Sequence, residues 1–93
     1  MAKKRLYLKI FGDVQGVGFR YYASEMARNL GLTGWMKNAS DKTVEGEIEG
    51  EEKLLEEFLK WAKRGPRGAR VEKVEARWEE FKGEFQNFKI RSF

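Results

Sequence analysis

The sequence contains no cysteine and no histidine, and it has one proline, Pro66. Without cysteine the chain can form no disulfide bond and offers no thiol nucleophile. Without histidine it lacks the side chain that most often serves as a general base or as a metal ligand. These absences exclude the enzyme classes whose chemistry needs a cysteine or histidine side chain.

The distribution of charged and apolar residues restricts the possible partners. No apolar run approaches the length of a membrane span, so a membrane partner is not expected. The basic residues near the N-terminus alternate with apolar ones and form no apolar signal core, which predicts a cytoplasmic location. The net charge of +4 favours anionic partners, but the two signs are interleaved, so nucleic acid is not expected. The abundance of lysine, glutamate and arginine is typical of heat-adapted proteins.

The 93 residues are 41% hydrophobic and 37% charged, which predicts a single globular domain over residues 1–93, expected to be a monomer. Alternating apolar residues predict strands near residues 6–11, 32–37, 44–50, 74–78 and 88–90. Helical periodicity runs through residues 22–30 and 51–64. This order, βαββαβ plus a short final strand, is typical of the ferredoxin-like split βαβ plan. The predicted fold class is therefore α+β, with a mainly antiparallel sheet and two helices on one face.

The same patterns assign individual side chains to the core or to solvent. We expect the inward residues of the helices to be Tyr22, Ala23, Met26, Ala27, Leu30, Leu55, Phe58, Leu59 and Ala62. Five aromatic residues are expected in the core or at its rim, namely Trp35, Phe58, Trp61, Trp78 and Phe88. Glu45, Glu47 and Glu49 alternate with small and apolar residues, which predicts a strand with one acidic, solvated face. A metal site there would need clustered partners that the sequence does not supply.

A glycine-rich loop joins the first strand to the first helix, and it contains Gly12, Gly16 and Gly18, followed by Arg20. A helix N-terminus has unpaired N–H groups and a partial positive charge, and small residues let backbone N–H groups surround an anion. An arginine in the first turn adds a planar set of donors. Together these features suit a phosphate group, although glycines alone would also permit a tight turn. The loop matches neither a Walker loop nor a dinucleotide fingerprint.

Two stretches carry a resemblance to a known family. Residues 12–20, GDVQGVGFR, closely resemble the acylphosphatase signature G-x-V-Q-G-V-x-F-R, and residues 34–50, GWMKNASDKTVEGEIEG, resemble the second signature of that family. With the element order, the resemblance covers nearly the whole chain. One departure is Lys42, which stands where the second signature usually has a glycine, so the family pattern suggests a positive φ at Lys42.

The resemblance implies an enzyme that hydrolyses acyl phosphates to a carboxylate and inorganic phosphate, with no cofactor and no metal. It implies that Arg20 binds the phosphate and that Asn38 positions the attacking water. The backbone N–H groups that would hold the phosphoryl oxygens are those of Gln15, Gly16, Val17, Gly18, Phe19 and Arg20. Inorganic phosphate, the product, is then expected to be a competitive inhibitor. Taken alone, Arg20 would equally suit a surface salt bridge, and Asn38 a turn in which it bonds to its own backbone.

Two other functions remain open at this point. The same fold plan serves as an RNA-binding module, in which case Tyr7 and Phe11 on the first strand would stack on bases. The surrounding residues lack the strand motif of that family. The basic segment 63–70 is interpreted as a solvated loop.

The second alternative is a regulatory domain that binds an anion without turnover. Hydrolysis of a simple acyl phosphate such as benzoyl phosphate would distinguish the enzyme from both.

Overall fold

The computed structural model describes residues 2–92, which form seven helices and strands in the predicted order. These elements are β1 (Lys3–Asp13), α1 (Phe19–Asn29), β2 (Thr33–Asn38), β3 (Val44–Glu51), α2 (Glu52–Arg64), β4 (Arg70–Glu80) and β5 (Phe88–Arg91). The fourth strand is longer than its alternating apolar residues predict. The first helix begins earlier than predicted, directly after the glycine-rich loop.

The strands form one five-stranded sheet in the order β4-β1-β3-β2-β5. Strand β1 pairs antiparallel with β3 and β4, and β2 pairs antiparallel with β3. Only the β2–β5 pair is parallel in the sheet formed by residues 2–92, and its register places Met36 beside Ile90 and Lys37 beside Arg91. The predicted α+β, ferredoxin-like fold with a mainly antiparallel sheet is confirmed. The edge strand β5 ends close to the start of α1, which is where the glycine-rich loop lies.

Both helices cover the same face of the sheet, α1 over β2 and β5 and α2 over β1, β3 and β4. The core between the helices and the sheet contains Leu6, Leu8, Ile10, Val14, Phe19, Ala23, Ala27, Leu32, Met36, Val44, Ile48, Leu55, Phe58, Ala62 and Phe88. Met26, Leu30 and Leu59, which were predicted to face inward, are partly buried against this core.

The prediction that Tyr22 faces inward is wrong, because its side chain is 49% exposed. Helix α1 buries a stripe formed by Phe19, Ala23 and Ala27 at a spacing of four residues, with Ser24 buried beside it. Tyr22 lies one position, or about 100°, away from this stripe. Because α1 covers only β2 and β5, the last two strands at one side of the sheet, its buried stripe does not include Tyr22.

The expectation of an acidic, solvated face on β3 is also wrong. The Glu49 side chain is 0% exposed and that of Glu47 is 14% exposed. Residues 81–87, which join β4 to β5, fold toward this face, and the Glu49 carboxylate accepts backbone N–H groups from Lys82 at 2.7 Å and Gly83 at 3.1 Å. Residues 81–87, which show no periodic pattern, therefore cover Glu47 and Glu49, although the alternation along β3 predicted that these side chains face solvent.

Arg5 on β1 is the positive centre of this covered face. Its guanidinium lies 2.8 Å from a Glu47 oxygen, 3.3 Å from Glu49 and 2.6 Å from Glu84. Glu79 completes the group at 3.4 Å, and we call these five residues the Arg5 cluster. Charged groups can be buried when they are paired and hydrogen-bonded, and the cluster meets that condition.

Candidate active site

A pocket of about 170 Å³ lies at the start of α1, between the glycine-rich loop and the ends of β2 and β5. It is lined by Val14, Gly16, Gly18, Phe19, Arg20, Tyr21, Asn38 and Ile90. Five of these were predicted site residues, so the fold brings the two signature stretches together in one pocket. Gln15 and Val17, also predicted, are not among the lining residues.

Two glycines of the loop, Gly16 and Gly18, have no backbone close to the side where a Cβ atom would stand. Gly16 and Gly18 have φ angles of 78° and 79°, in the left-handed region that side chains other than glycine rarely adopt. A Cβ atom at Gly16 would meet no other atom within 4 Å, and one at Gly18 would meet the Tyr22 ring at 3.4 Å. Both positions therefore allow a ligand to approach the backbone closely.

The backbone N–H groups of residues 15–20 are free. In the chain from residue 2 to residue 92, none of these six groups donates a hydrogen bond, and the first bond of the helix runs from Tyr22 N to Gly18 O at 3.0 Å. The first turn of α1 has no side-chain cap and no acidic residue. Unpaired donors at a helix N-terminus carry the positive end of the helix dipole, so the loop presents a positive surface to an anion.

The guanidinium of Arg20 is held by the end of the edge strand. Its Nη1 donates to the carbonyl oxygen of Arg91 at 3.0 Å. Arg20 forms no ion pair with any other residue between 2 and 92, so the salt-bridge interpretation of this residue does not hold. The guanidinium lines the pocket with further donors that remain available to a ligand.

Asn38 ends β2 and lines the pocket, where its Oδ1 is buried without a hydrogen-bond partner. The turn that follows is closed by a different residue, since Asp41 Oδ1 accepts hydrogen bonds from Thr43 N at 3.2 Å and Thr43 Oγ1 at 2.5 Å. Hydrogen bonds from Thr43 and the Lys9 ammonium hold the pKa of the Asp41 carboxyl well below its usual range. Asn38 is therefore not needed to close the turn, and its side chain is available to a ligand.

The side chain of Gln15 has a role that the sequence analysis missed. Its Nε2 donates to the carbonyl oxygens of Ala39 and Thr43, each at 2.9 Å, and so joins the glycine-rich loop to the turn after Asn38. A polar, long side chain between small residues was the available signal. In the same turn Lys42 has a φ of 71°, which confirms the positive φ suggested by the family pattern.

The aromatic residues of β1 do not offer a free surface for bases. The Tyr7 hydroxyl donates to Glu45 at 2.9 Å, and the Arg77 guanidinium lies 4.6 Å from the Tyr7 ring centroid. Burial and the hydrogen bond to Glu45 raise the pKa of Tyr7 to about 12. The Lys73 ammonium lies 4.7 Å from the centroid of Phe11. Both rings are already covered by cations of neighbouring strands, which disfavours the RNA-binding interpretation.

The residues that the structure describes contain neither a cluster of potential metal ligands nor a membrane-spanning helix. Between residues 2 and 92, no three acidic, histidine or cysteine side chains come together as a metal site would require. Neither of the helices in this part of the chain has the length and apolar character needed to cross a membrane.

The chain matches proteins of known family over nearly its whole length. The family model for acylphosphatase matches residues 6–90. An acylphosphatase from Pyrobaculum islandicum is 50% identical over 91 residues, covering 97% of this chain and 96% of that protein. One from Thermococcus kodakarensis is 48% identical over 90 residues, covering 97% and 98%. The crystal structure of acylphosphatase from Bacillus subtilis matches with a TM-score of 0.91 at 32% identity, covering 95% of this chain and 98% of the other. The chain therefore belongs to the acylphosphatase family of hydrolases.

Proposed function

We propose that this protein hydrolyses the carboxyl–phosphate bond of acyl phosphates, and that Arg20, Asn38 and the loop of residues 15–20 carry out the reaction. The observation that supports this most directly is the run of six unpaired backbone N–H groups at a pocket that also contains Arg20 and Asn38. A helix N-terminus leaves its first N–H groups unpaired, and such groups beside an arginine support a site for an anion.

The phosphoryl group of the substrate binds in the loop. Its oxygens accept hydrogen bonds from the backbone N–H groups of residues 15–20, and the Arg20 guanidinium contacts two of them. Because the donors are already fixed by the fold, they stabilise the charge that develops in the transition state without reorganisation. The hydrogen bond from Arg20 to Arg91 limits the positions that the guanidinium can take.

The attacking water is held by the side-chain amide of Asn38, whose Oδ1 has no partner in the protein. The water oxygen forms a bond to phosphorus in line with the bond to the acyl oxygen, which breaks with its electron pair. The products are a carboxylate and inorganic phosphate, and a phosphoryl oxygen accepts the proton of the water. A carboxylate is a good leaving group, so the reaction requires no strong acid and proceeds by positioning and charge stabilisation.

The same site binds the product, so inorganic phosphate is a competitive inhibitor in this proposal. The pocket is formed by residues of this one chain, so the reaction requires no second subunit, and we propose that the protein acts as a monomer.

The experiment compares Arg20→Ala and Asn38→Ala by hydrolysis of benzoyl phosphate and by inhibition with inorganic phosphate. Loss of Arg20 should raise the barrier by roughly 3–4 kcal/mol and weaken phosphate inhibition. Loss of Asn38 should lower turnover about 100-fold and change phosphate inhibition little, since Asn38 contacts the water. Arg28→Ala is the matched control, because Arg28 also lies on α1 and donates to a β5 carbonyl, Phe88 O at 3.3 Å, but does not line the pocket.

Three outcomes would contradict the proposal. Near-native turnover of Arg20→Ala would remove that residue from the site. Equal weakening of phosphate inhibition in both variants would contradict the separate roles of Arg20 and Asn38. Phosphate binding without any hydrolysis by the wild-type protein would favour the regulatory, anion-binding alternative.

A further inference from the structure

Two large apolar side chains lie exposed at the pocket and have no part in the proposed chemistry. Among residues 2–92, the exposed large hydrophobic side chains are those of Tyr21, Tyr22, Trp78, Phe81 and Ile90. Tyr21 and Ile90, which are 56% and 43% exposed, line the same pocket as Arg20 and Asn38. Isolated apolar residues on a surface need no explanation, but two that converge on a polar site from distant parts of the chain do.

The contact between α1 and β5 brings these two side chains together. Arg20 donates to the Arg91 carbonyl, and the residues adjacent to that bond are Tyr21 and Ile90. Ile90 pairs with Met36 in the sheet, and Met36 is fully buried under the helices, whereas Ile90 on the edge strand stays exposed.

The Tyr21 side chain is also held in place by a neighbour on its own helix. Its ring packs edge to face against the ring of Tyr22, with the two centroids 5.2 Å apart. The apolar pair at the pocket is therefore formed by two separate elements, the first turn of α1 and the edge strand β5.

We propose that Tyr21 and Ile90 form a subsite for the acyl group of the substrate, and that it selects apolar acyl groups. The inference rests on the proposed function, because a phosphoryl group held by the loop leaves its acyl group at the mouth of the pocket. Apolar surface at that position favours acyl groups that lose apolar area to water on binding. Arg20 is the only charged side chain that lines the pocket in residues 2–92, and the phosphoryl group occupies it, so a charged acyl group finds no partner there.

The test measures kcat/KM for benzoyl phosphate and for acetyl phosphate and divides the first value by the second. Dividing the ratio of a variant by that of the wild-type protein removes the difference in intrinsic reactivity between the substrates. Ile90→Ala and Tyr21→Ala should each lower the ratio about fivefold, the effect expected when part of an apolar contact is lost. Ile90→Leu and Tyr21→Phe should retain it. Inhibition by inorganic phosphate, which has no acyl group, should be unchanged in all four variants.

A binding measurement keeps the test independent of turnover. Phenacylphosphonate and acetonylphosphonate carry the same two acyl groups on a bond that cannot be hydrolysed, and calorimetry gives the ratio of their dissociation constants. In Ile90→Ala the dissociation constant of phenacylphosphonate divided by that of acetonylphosphonate should rise about fivefold, since the kinetic ratio falls by that factor. Trp78→Ala is the control, because Trp78 is 41% exposed on β4, at the opposite edge of the sheet, and should change neither ratio.

Unchanged ratios in Ile90→Ala and Tyr21→Ala, with both substrates still hydrolysed, would overturn the acyl subsite and leave the proposed function intact. Equal loss of rate on both substrates together with weaker phosphate inhibition would also overturn it, because the residues would then act on the phosphoryl group. A wild-type protein that hydrolyses neither substrate would overturn the proposed function and the subsite with it.

Discussion

The pocket and the Arg5 cluster are both polar regions next to the sheet, but the polar groups of the cluster are paired within the protein and those of the pocket are not. In the cluster, Arg5 is paired with four glutamates, and Glu49 also accepts two backbone N–H groups. At the pocket, six backbone N–H groups and Asn38 Oδ1 have no partner among residues 2–92. The first region is satisfied within the protein, and the second is incomplete without a ligand.

This difference distinguishes a structural site from a functional one: buried charges that are paired stabilise the fold, whereas unpaired donors remain available to a ligand. Burial of Glu47 raises the pKa of its carboxyl although Arg5 stabilises the charged form, so pairing offsets only part of the desolvation cost of the cluster. The free donors of the loop, two of them on the exposed Gly16 and Gly18, can bind an anion without breaking a bond within the protein. Changes to the cluster should therefore act on stability, and changes to the pocket on activity.

The largest expected effect on stability comes from Arg5→Met. Removal of the guanidinium leaves the buried carboxylates of Glu47 and Glu49 without their cation, which should lower the free energy of unfolding by about 3 kcal/mol. Denaturant unfolding measures this change. The folded variant should retain wild-type kcat/KM for benzoyl phosphate, since the cluster does not contact the pocket.

Arg77→Met is the matched control for this substitution. Arg77 lies near the cluster and pairs with Glu79 at 2.9 Å, but its side chain is 63% exposed, so little change in stability is expected. If Arg5→Met lowers turnover while fully folded, the separation between the two regions is wrong, and the 81–87 segment transmits the change to β5.

A smaller effect, on both properties, is expected for Gln15→Ala. This variant loses the two hydrogen bonds from Gln15 to Ala39 and Thr43, which should lower the free energy of unfolding by about 1–2 kcal/mol. Turnover should fall as well, because the link between the phosphate loop and the turn after Asn38 is lost. Activity and unfolding measured on the same preparation check both parts.

Gln15→Glu tests whether the donated hydrogen bonds are what matters. A carboxylate cannot donate to Ala39 and Thr43, and it places a negative charge beside the phosphate loop, so turnover should fall further than in Gln15→Ala. Wild-type turnover in both variants would show that the bridge does not position the site.

The smallest effect is expected for Lys42→Gly. A left-handed backbone costs a residue such as lysine roughly 1–2 kcal/mol, and glycine removes this strain. Glycine also adds freedom to the unfolded chain, a penalty of roughly 0.5–1 kcal/mol. We expect a neutral to mildly stabilised variant with turnover close to wild type. A clear drop in the denaturation midpoint at unchanged slope would contradict a strained turn.

Local sequence patterns were enough to predict the elements of the fold, and the resemblance to the acylphosphatase signatures supplied the roles proposed for Arg20 and Asn38. The period of the apolar residues predicted the order of strands and helices, because each element exposes one face to the core. Residues 12–20 are contiguous in the sequence and run from the end of β1 to the start of α1, so local spacing placed Gly16, Gly18 and Arg20 at a helix N-terminus. The positive φ of Lys42 followed from the family pattern and is confirmed.

Features that depend on contacts between distant segments could not be predicted in this way. The bridge from Gln15 to Ala39 and Thr43 joins residues at least 24 positions apart. Ile90 reaches the pocket only because β5 pairs in parallel with β2 at the edge of the sheet. The sequence shows which residues alternate, but not which strand becomes a neighbour of which.

The sequence by itself determined which face of each strand is apolar, and the tertiary structure decided what covers the other face. Alternation along β3 separates Glu45, Glu47 and Glu49 from the core, but it carries no information on a segment that returns 33 residues later, as Lys82 does to Glu49. Burial depends on the atoms that surround a side chain in space, and periodicity records only its direction. For the same reason the glycine-rich loop and its place at a helix N-terminus followed from local spacing, whereas the buried Arg5 cluster and the apolar mouth of the pocket required the folded chain.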